Sequence, residues 1–154
     1  MKKHSYPSDL TDSQWEKIAQ FFDTKRSRKY PMRQVCNAII YVVKTGCQWR
    51  QLPKEFGAWS SIYYYFDKWR HNGLWERLND ALREAVRVKM GREATPSAMV
   101  VRHFVPIPKR WVVERTFAWF ESYRRLSKDF EFHPKTSQTM IYIASVRLML
   151  NRLT

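Results

Sequence analysis

Glycine is scarce, with 4 in 154 residues and none after Gly91. Tight turns are therefore few, and long helices are favoured. Cysteine is nearly absent. Cys36 and Cys47 both sit in apolar surroundings, which excludes a disulfide framework and reads as buried thiols in a reducing cytoplasm. No CxxC or Cys/His cluster points to zinc. Long apolar runs are missing too, and no stretch approaches the roughly 18 residues of a membrane span. The start, MKKHSYPSD, has two lysines with no apolar run behind them, so it is not read as a secretory leader. Acidic residues are half as common as basic ones, 14 against 28. No aspartate occurs between Asp80 and Asp129.

The basic excess comes to a net charge of +14. Residues 1–91 carry 17 Lys and Arg against 9 Asp and Glu, and residues 92–154 carry 11 against 5. The charge thus runs along the whole chain. Such a balance favours a polyanion, most commonly nucleic acid. A ribosome-like or simply soluble basic protein is the alternative. With 44% apolar and 16% aromatic residues, the chain can bury a core as one domain or two small helical ones.

The pattern reads as all-α. Thr11 and Gln14 have the spacing of a capping box, and Trp15, Ile18, Ala19 and Phe22 then share one helical face. The run KRSRK follows, with Lys25, Arg26, Arg28 and Lys29 as a solvated loop or a phosphate contact. Pro31 suits the start and Gly46 the end of a helix with little polar surface, so this helix is central and buried. CQWRQLPKEFGAWSSIYYYFDKWRHNG reads as a short helical piece, a turn at Gly57 and a second helix. Trp49, Leu52 and Phe56 stripe the first piece, and Ile62, Phe66 and Trp69 stripe the second. Two short helices with facing apolar stripes form a helix-turn-helix. An ordinary helical hairpin is the alternative, and Pro53 is discordant within the first piece. The outward face of the second helix carries Ser61, Tyr64, Lys68 and His71, bordered by Tyr63 and Arg70. Arg50 lies just upstream, and Ser60 is expected to cap the helix. These are groups that reach phosphates and base edges.

LWERLNDALREAVRVKMG continues as a fourth helix, closed by Gly91. Residues 92–109 hold three prolines and one β-branched run, a linker with at most one short strand. WVVERTFAWFESYRRL is again helical. Val112, Val113, Thr116, Phe117, Trp119, Phe120 and Tyr123 share an apolar arc, and Glu114 falls on the other face. The last helix, SQTMIYIASVRLMLNRL, starts at Thr136 or Ser137.

CQWRQLP, FGAWSSIYYYF, KWRHNGLWERL, REATPSA and PKRWVVERTFAWFESYRRLSKDFE resemble bacterial insertion-sequence transposases of family five, within the DDE superfamily. Nearly the whole chain is covered, in two blocks. Residues 5–98 resemble the family's helical DNA-binding domain, and residues 103–154 resemble the end of its RNase-H-like catalytic domain. The expected domains are therefore a DNA-binding unit at 1–91, a junction at 92–109 and a catalytic-domain remnant at 110–154. That remnant is expected to be a helical hairpin whose two helices bury each other.

The resemblance implies that Glu114 is the last of three carboxylates, which in full-length members hold two divalent cations such as magnesium. Both aspartates would lie between REATPSA and PKRWVVER, where this chain has only MVVRHFVPI. In the family's Tyr…Arg…Glu…Lys signature, Arg110 fits, but Ile107 stands at the Tyr place and Glu121 at the Lys place. Glu114 is then a relict of the triad, and no metal or cofactor is expected. The expectation is a chain that binds duplex DNA, plausibly transposon ends, without cutting it. The alternatives are a working transposase subunit and a non-functional remnant. Expected partners are double-stranded DNA, a second copy or a full-length transposase, with no membrane and a cytoplasmic location.

Overall fold

The computed structural model describes residues 6–23, 28–91, 110–128 and 131–154, with side chains in the 110–121 helix from Arg115 onward. Among these residues there are α-helices and single 3-10 turns, and no strand. The chain order is α1 (Asp12–Ile18), α2 (Met32–Thr45), α3 (Trp59–His71), α4 (Leu74–Lys89), α5 (Arg110–Glu121) and α6 (Pro134–Leu153). The all-α expectation holds. The possible short strand falls in 92–109, outside the described residues. No described helix is long and apolar enough to cross a membrane.

The capping box at α1 is present. The Gln14 backbone N–H donates to Thr11 Oγ1 at 3.2 Å, and Gln14 Oε1 accepts from the Thr11 N–H at 3.1 Å. Gln14 is itself buried, and its Nε2 donates to Asn151 Oδ1 at 3.1 Å and Thr154 Oγ1 at 3.3 Å. The local cap thus doubles as a link to α6. The central helix is α2, as expected. Val35, Cys36, Ala38, Ile39, Val42 and Val43 have no exposed surface, as befits a helix apolar on nearly all sides. It ends at Gly46, whose φ of 71° lets its N–H reach Val42 O at 2.9 Å.

The two C-terminal helices depart from the expected hairpin. The main partner of α6 is α4, with α2 second, and the described part of α5 touches α6 lightly. The cause lies in two matching apolar rows. Leu74, Trp75, Leu78, Leu82 and Val86 form the buried stripe of α4, and Met140, Ile143, Ala144, Val146 and Leu150 are the buried residues of α6. Each row removes the other from water, at about 25 cal/mol for each Å² of apolar surface covered. Polar clasps hold the same arrangement. Arg147 donates to Asp9 O at 3.1 Å and to Gln14 Oε1, and Lys89 Nζ donates to Arg152 O at 2.8 Å. Residues on both sides of the 92–109 interval therefore share one core.

The start of α6 also differs from expectation. It begins at Pro134, two residues before Thr136. The fixed φ of proline and its missing N–H suit the first helical position. The Thr136 N–H donates to His133 O at 2.8 Å, which leaves its hydroxyl to accept from Arg70 at 2.7 Å.

Candidate nucleic-acid interface

The α3 helix is positioned by its buried stripe. Ile62, Phe66 and Trp69 are 5% exposed or less. Trp69 meets Trp75 of α4 at 5.9 Å between ring centroids and Phe22 at 4.9 Å. At 100° per residue, the opposite face centres on Ser60, Tyr64 and His71. All three are exposed, as is Lys68 beside them.

The piece expected to be the first helix of the motif is not an α-helix. It is two single 3-10 turns, Trp49–Gln51 and Lys54–Phe56, with Pro53 between them. Proline has no N–H to continue a helix. Leu52 and Phe56 still bury their side chains, and Trp49 packs on Phe66 at 4.9 Å. The apolar stripe thus survives without the regular backbone. The uninterrupted helix preceding α3 is α2.

Ser60 does not cap α3. The helix begins one residue earlier, with Ala58 at the N-cap and no side-chain cap. Ser61 and Ile62 donate to Ala58 O at 3.0 and 3.2 Å. Ser60 and Ser61 lie inside the first turn, with Ser60 exposed and Ser61 half-buried.

Tyr30 roofs this end of α3. Its hydroxyl accepts from the Ala58 N–H at 3.1 Å, and its ring lies over Gly57. A Cβ built on Gly57 would come within 2.4 Å of Tyr30 Cε1, and the Gly57 φ of 102° is one that side-chain-bearing residues avoid. Lys29, Tyr30, Ser60, Ser61, Tyr64 and Tyr65 together line an open cleft of about 320 Å³. One cation, three phenol rings and two hydroxyls therefore converge on the N-terminal turn of a 13-residue helix. That combination suits an anionic group carried on a larger partner. Tyr30 and Gly57 were missed as site residues in the sequence. Their only signal was the Gly57 turn itself, because the tyrosine meets it from 27 positions away.

The other expected contacts divide. Lys25 and Arg26 lie outside the described residues. Arg28 is half-buried and ion-paired with Asp23. Lys29 is exposed, with its Nζ 5.5 Å from the Tyr30 ring centroid. Arg50 lies over the Trp59 ring at 5.6 Å. Tyr63 and Tyr64 are 42% and 60% exposed. Arg70 turns toward the protein, paired with Asp67 and donating to Thr136 Oγ1. His71 Nδ1 lies 3.3 Å from Asp67 Oδ2. Asp67, absent from the expected contact set, is half-buried at the border of the outward face on the Tyr63 side and engages both Arg70 and His71.

Glu114 lies within α5, and its side chain is outside the described residues. Among the described residues no three His, Cys, Asp or Glu side chains gather closely enough to hold a metal ion. Of the described acids nearest in sequence to Glu114, Glu121 is exposed and Glu131 is bound to Arg125 with Nε to Oε1 at 2.7 Å. The described residues do not fit a two-cation centre.

Two buried ionisable groups belong to the core, Cys36 and Tyr123. Burial pushes the Cys36 thiol up to about 12 and the Tyr123 phenol up to about 12. The same burial lowers the Arg147 guanidinium from its ordinary value, opposed by Tyr123 and Asp9.

Comparison with known proteins adds an independent line. Residues 10–79 match the family described as "Putative transposase of IS4/5 family", and residues 76–151 match the family described as "Transposase DDE domain". A 16.2 kDa protein of insertion element IS402 from Burkholderia cepacia is 32% identical over 74 residues, covering 44% of this chain and 50% of that protein. Protein y4sN of Sinorhizobium fredii is 28% identical over 73 residues, covering 45% of this chain and 58% of that protein. The chain spans about half the length of the curated relatives it matches. No solved structure matches.

Proposed function

We propose, from the premise that this chain belongs to the insertion-sequence transposases of the IS4/5 type, that it binds duplex DNA through α3 and does not itself cut it. One observation carries the reading. Ile62, Phe66 and Trp69 bury one side of α3, and Ser60, Tyr64 and Lys68 leave the other side exposed, with Lys29 beside its first turn. In this reading α3 lies in the major groove. Lys29 and Lys68 neutralise phosphates, and Tyr64 and the serines reach base edges. α2 and α3, joined by the two short turns, serve as the paired helices of the motif. Asp67 then acts on the same face by holding Arg70 and His71 in place.

The absence of cutting rests on the short interval between α4 and α5. It carries no aspartate, and one glutamate at 114 cannot alone position two divalent cations. The chain is then a shortened transposase whose N-terminal unit and C-terminal helices remain. Occupancy of element ends by such a chain would compete with the full-length enzyme.

The test is fluorescence anisotropy with a duplex carrying the parent element's terminal repeat and a shuffled duplex of equal length, at two salt concentrations. The expected result is a preference for the repeat that survives added salt. Lys29→Ala and Lys68→Ala should each weaken binding to both duplexes and reduce the salt slope by about one. Equal binding that collapses with salt would leave only a basic surface. A second reading, a subunit that contributes Glu114 to a mixed assembly, draws on the catalytic-domain match over 76–151. Metal-dependent nicking by the purified chain would favour it.

A further inference from the structure

The flank of α3 facing away from Lys29 carries a different chemistry. Trp59 and Tyr63 stand one helical turn apart, 39% and 42% exposed. Trp49 supports Tyr63 from beneath, edge-on at 5.2 Å, and is itself held by Phe66 at 4.9 Å. Arg50 closes the row with its guanidinium 5.6 Å from the Trp59 ring centroid. A ring held from behind, an exposed indole and a cation thus form a ledge along the border of the exposed face of α3.

The ledge needs an occupant with flat π surfaces and negative charge. The charge follows from Arg50 and from the net +14 of the chain. The flat surfaces follow from the rings, because a stacked duplex offers only base edges in its grooves. An aromatic ring can use its whole face only on a base that has left the stack. A guanidinium over an indole adds a second flat cation for the same base or its phosphate.

We propose that Trp59, Tyr63 and Arg50 form a stacking ledge for an unpaired nucleobase next to the duplex held by α3. This rests on the DNA-binding reading above and extends it, because it names the state of the DNA that the chain prefers. The contacts placed in the groove, Lys29, Tyr64 and Lys68, remain the duplex-binding set. The ledge would act where the helix opens, at a frayed end or a distorted junction.

The experiment uses the full chain and two labelled duplexes of one sequence, one fully paired and one with a short run of unpaired thymines in one strand. The expected result is roughly ten-fold tighter binding of the second. Trp59→Ala should remove that advantage and leave affinity for the paired duplex unchanged. Trp59→Phe should restore much of it, because a smaller ring still stacks. Thermal melting of each variant checks that the fold is retained. Equal affinity for the two duplexes would overturn the proposal, as would a Trp59→Ala variant that loses both equally. Sedimentation showing that Trp59→Ala splits a dimer would overturn it as well, because a second copy would then cover the ledge. Failure of the wild-type chain to bind either duplex would remove the DNA-binding reading, and this proposal with it.

Discussion

Replacing Gly57 by alanine should cost the protein a large part of its stability, and the cost should depend on Tyr30. Two effects add. Gly57 has φ 102° and ψ −169°, a region that is essentially glycine's alone, and holding another residue there costs about 1–3 kcal/mol. The new methyl would also sit 2.4, 2.6 and 3.0 Å from three carbons of the Tyr30 ring. Overpacking of that kind costs about 1–3 kcal/mol. If the ring moves away to relieve it, the hydrogen bond from the Ala58 N–H is lost, worth about 1 kcal/mol. The sum is about 2–6 kcal/mol, against a total of about 5–15 kcal/mol for an ordinary protein. Urea denaturation followed by tryptophan fluorescence measures the loss. The informative version is a cycle with Tyr30→Ala. In that background the collision disappears and only the backbone term remains, so the Gly57→Ala cost should fall to about half. The same cost in both backgrounds would refute the contact between ring and glycine. A cost below about 0.5 kcal/mol in the wild-type background would refute the strain as well.

Other outcomes follow from the burial of α6 and of the core thiol. Ile143→Ala should destabilise by about 2–5 kcal/mol in the same assay, because Ile143 is fully buried. Phe117→Ala, at a side chain 64% exposed, should change stability by less than about 0.5 kcal/mol. A thiol-reactive dye should label half-buried Cys47 in the native chain and Cys36 only after unfolding. Two equally fast thiols would contradict the core position of Cys36. Alkaline pH should destabilise the fold. Cys36 and Tyr123 hold their protons more tightly when folded, with values raised from 9.0 and 10.0 to about 12. Unfolding then releases protons, so stability is fully present below pH 9 and declines as pH rises toward 12. Cys36→Ala should flatten the part of this decline that begins near 9, as measured by urea midpoints across pH. An unchanged slope would place its origin elsewhere.

Several features were legible in the residue order because they are local. The Thr11–Gln14 capping box spans a single turn. The burial of α2 follows from apolar residues on every side but the strip of Arg33, Asn37 and Lys44, and the stripe of α3 follows from the spacing of Ile62, Phe66 and Trp69. Such features depend on neighbours three or four positions away, and periodicity reports them. Charge was legible for the same reason that composition is, because no fold is needed to count it. The family resemblance was carried by long local motifs, and the comparisons agree with it.

Tertiary structure decided what depended on distant partners. Both α5 and α6 show apolar surface, so periodicity alone allowed them to pair with each other. The row of α4 took α6 instead, and Gln14 clasps it through Asn151 and Arg147 from more than 130 positions away. Arg70 looked like a surface cation until Thr136 of α6 came within 2.7 Å of it. Ser60 looked like a cap, but Tyr30 accepts the Ala58 N–H and α3 starts earlier. Each choice compares burial or pairing energies between segments far apart in the chain. Residue order encodes those energies only through the fold that brings the segments together.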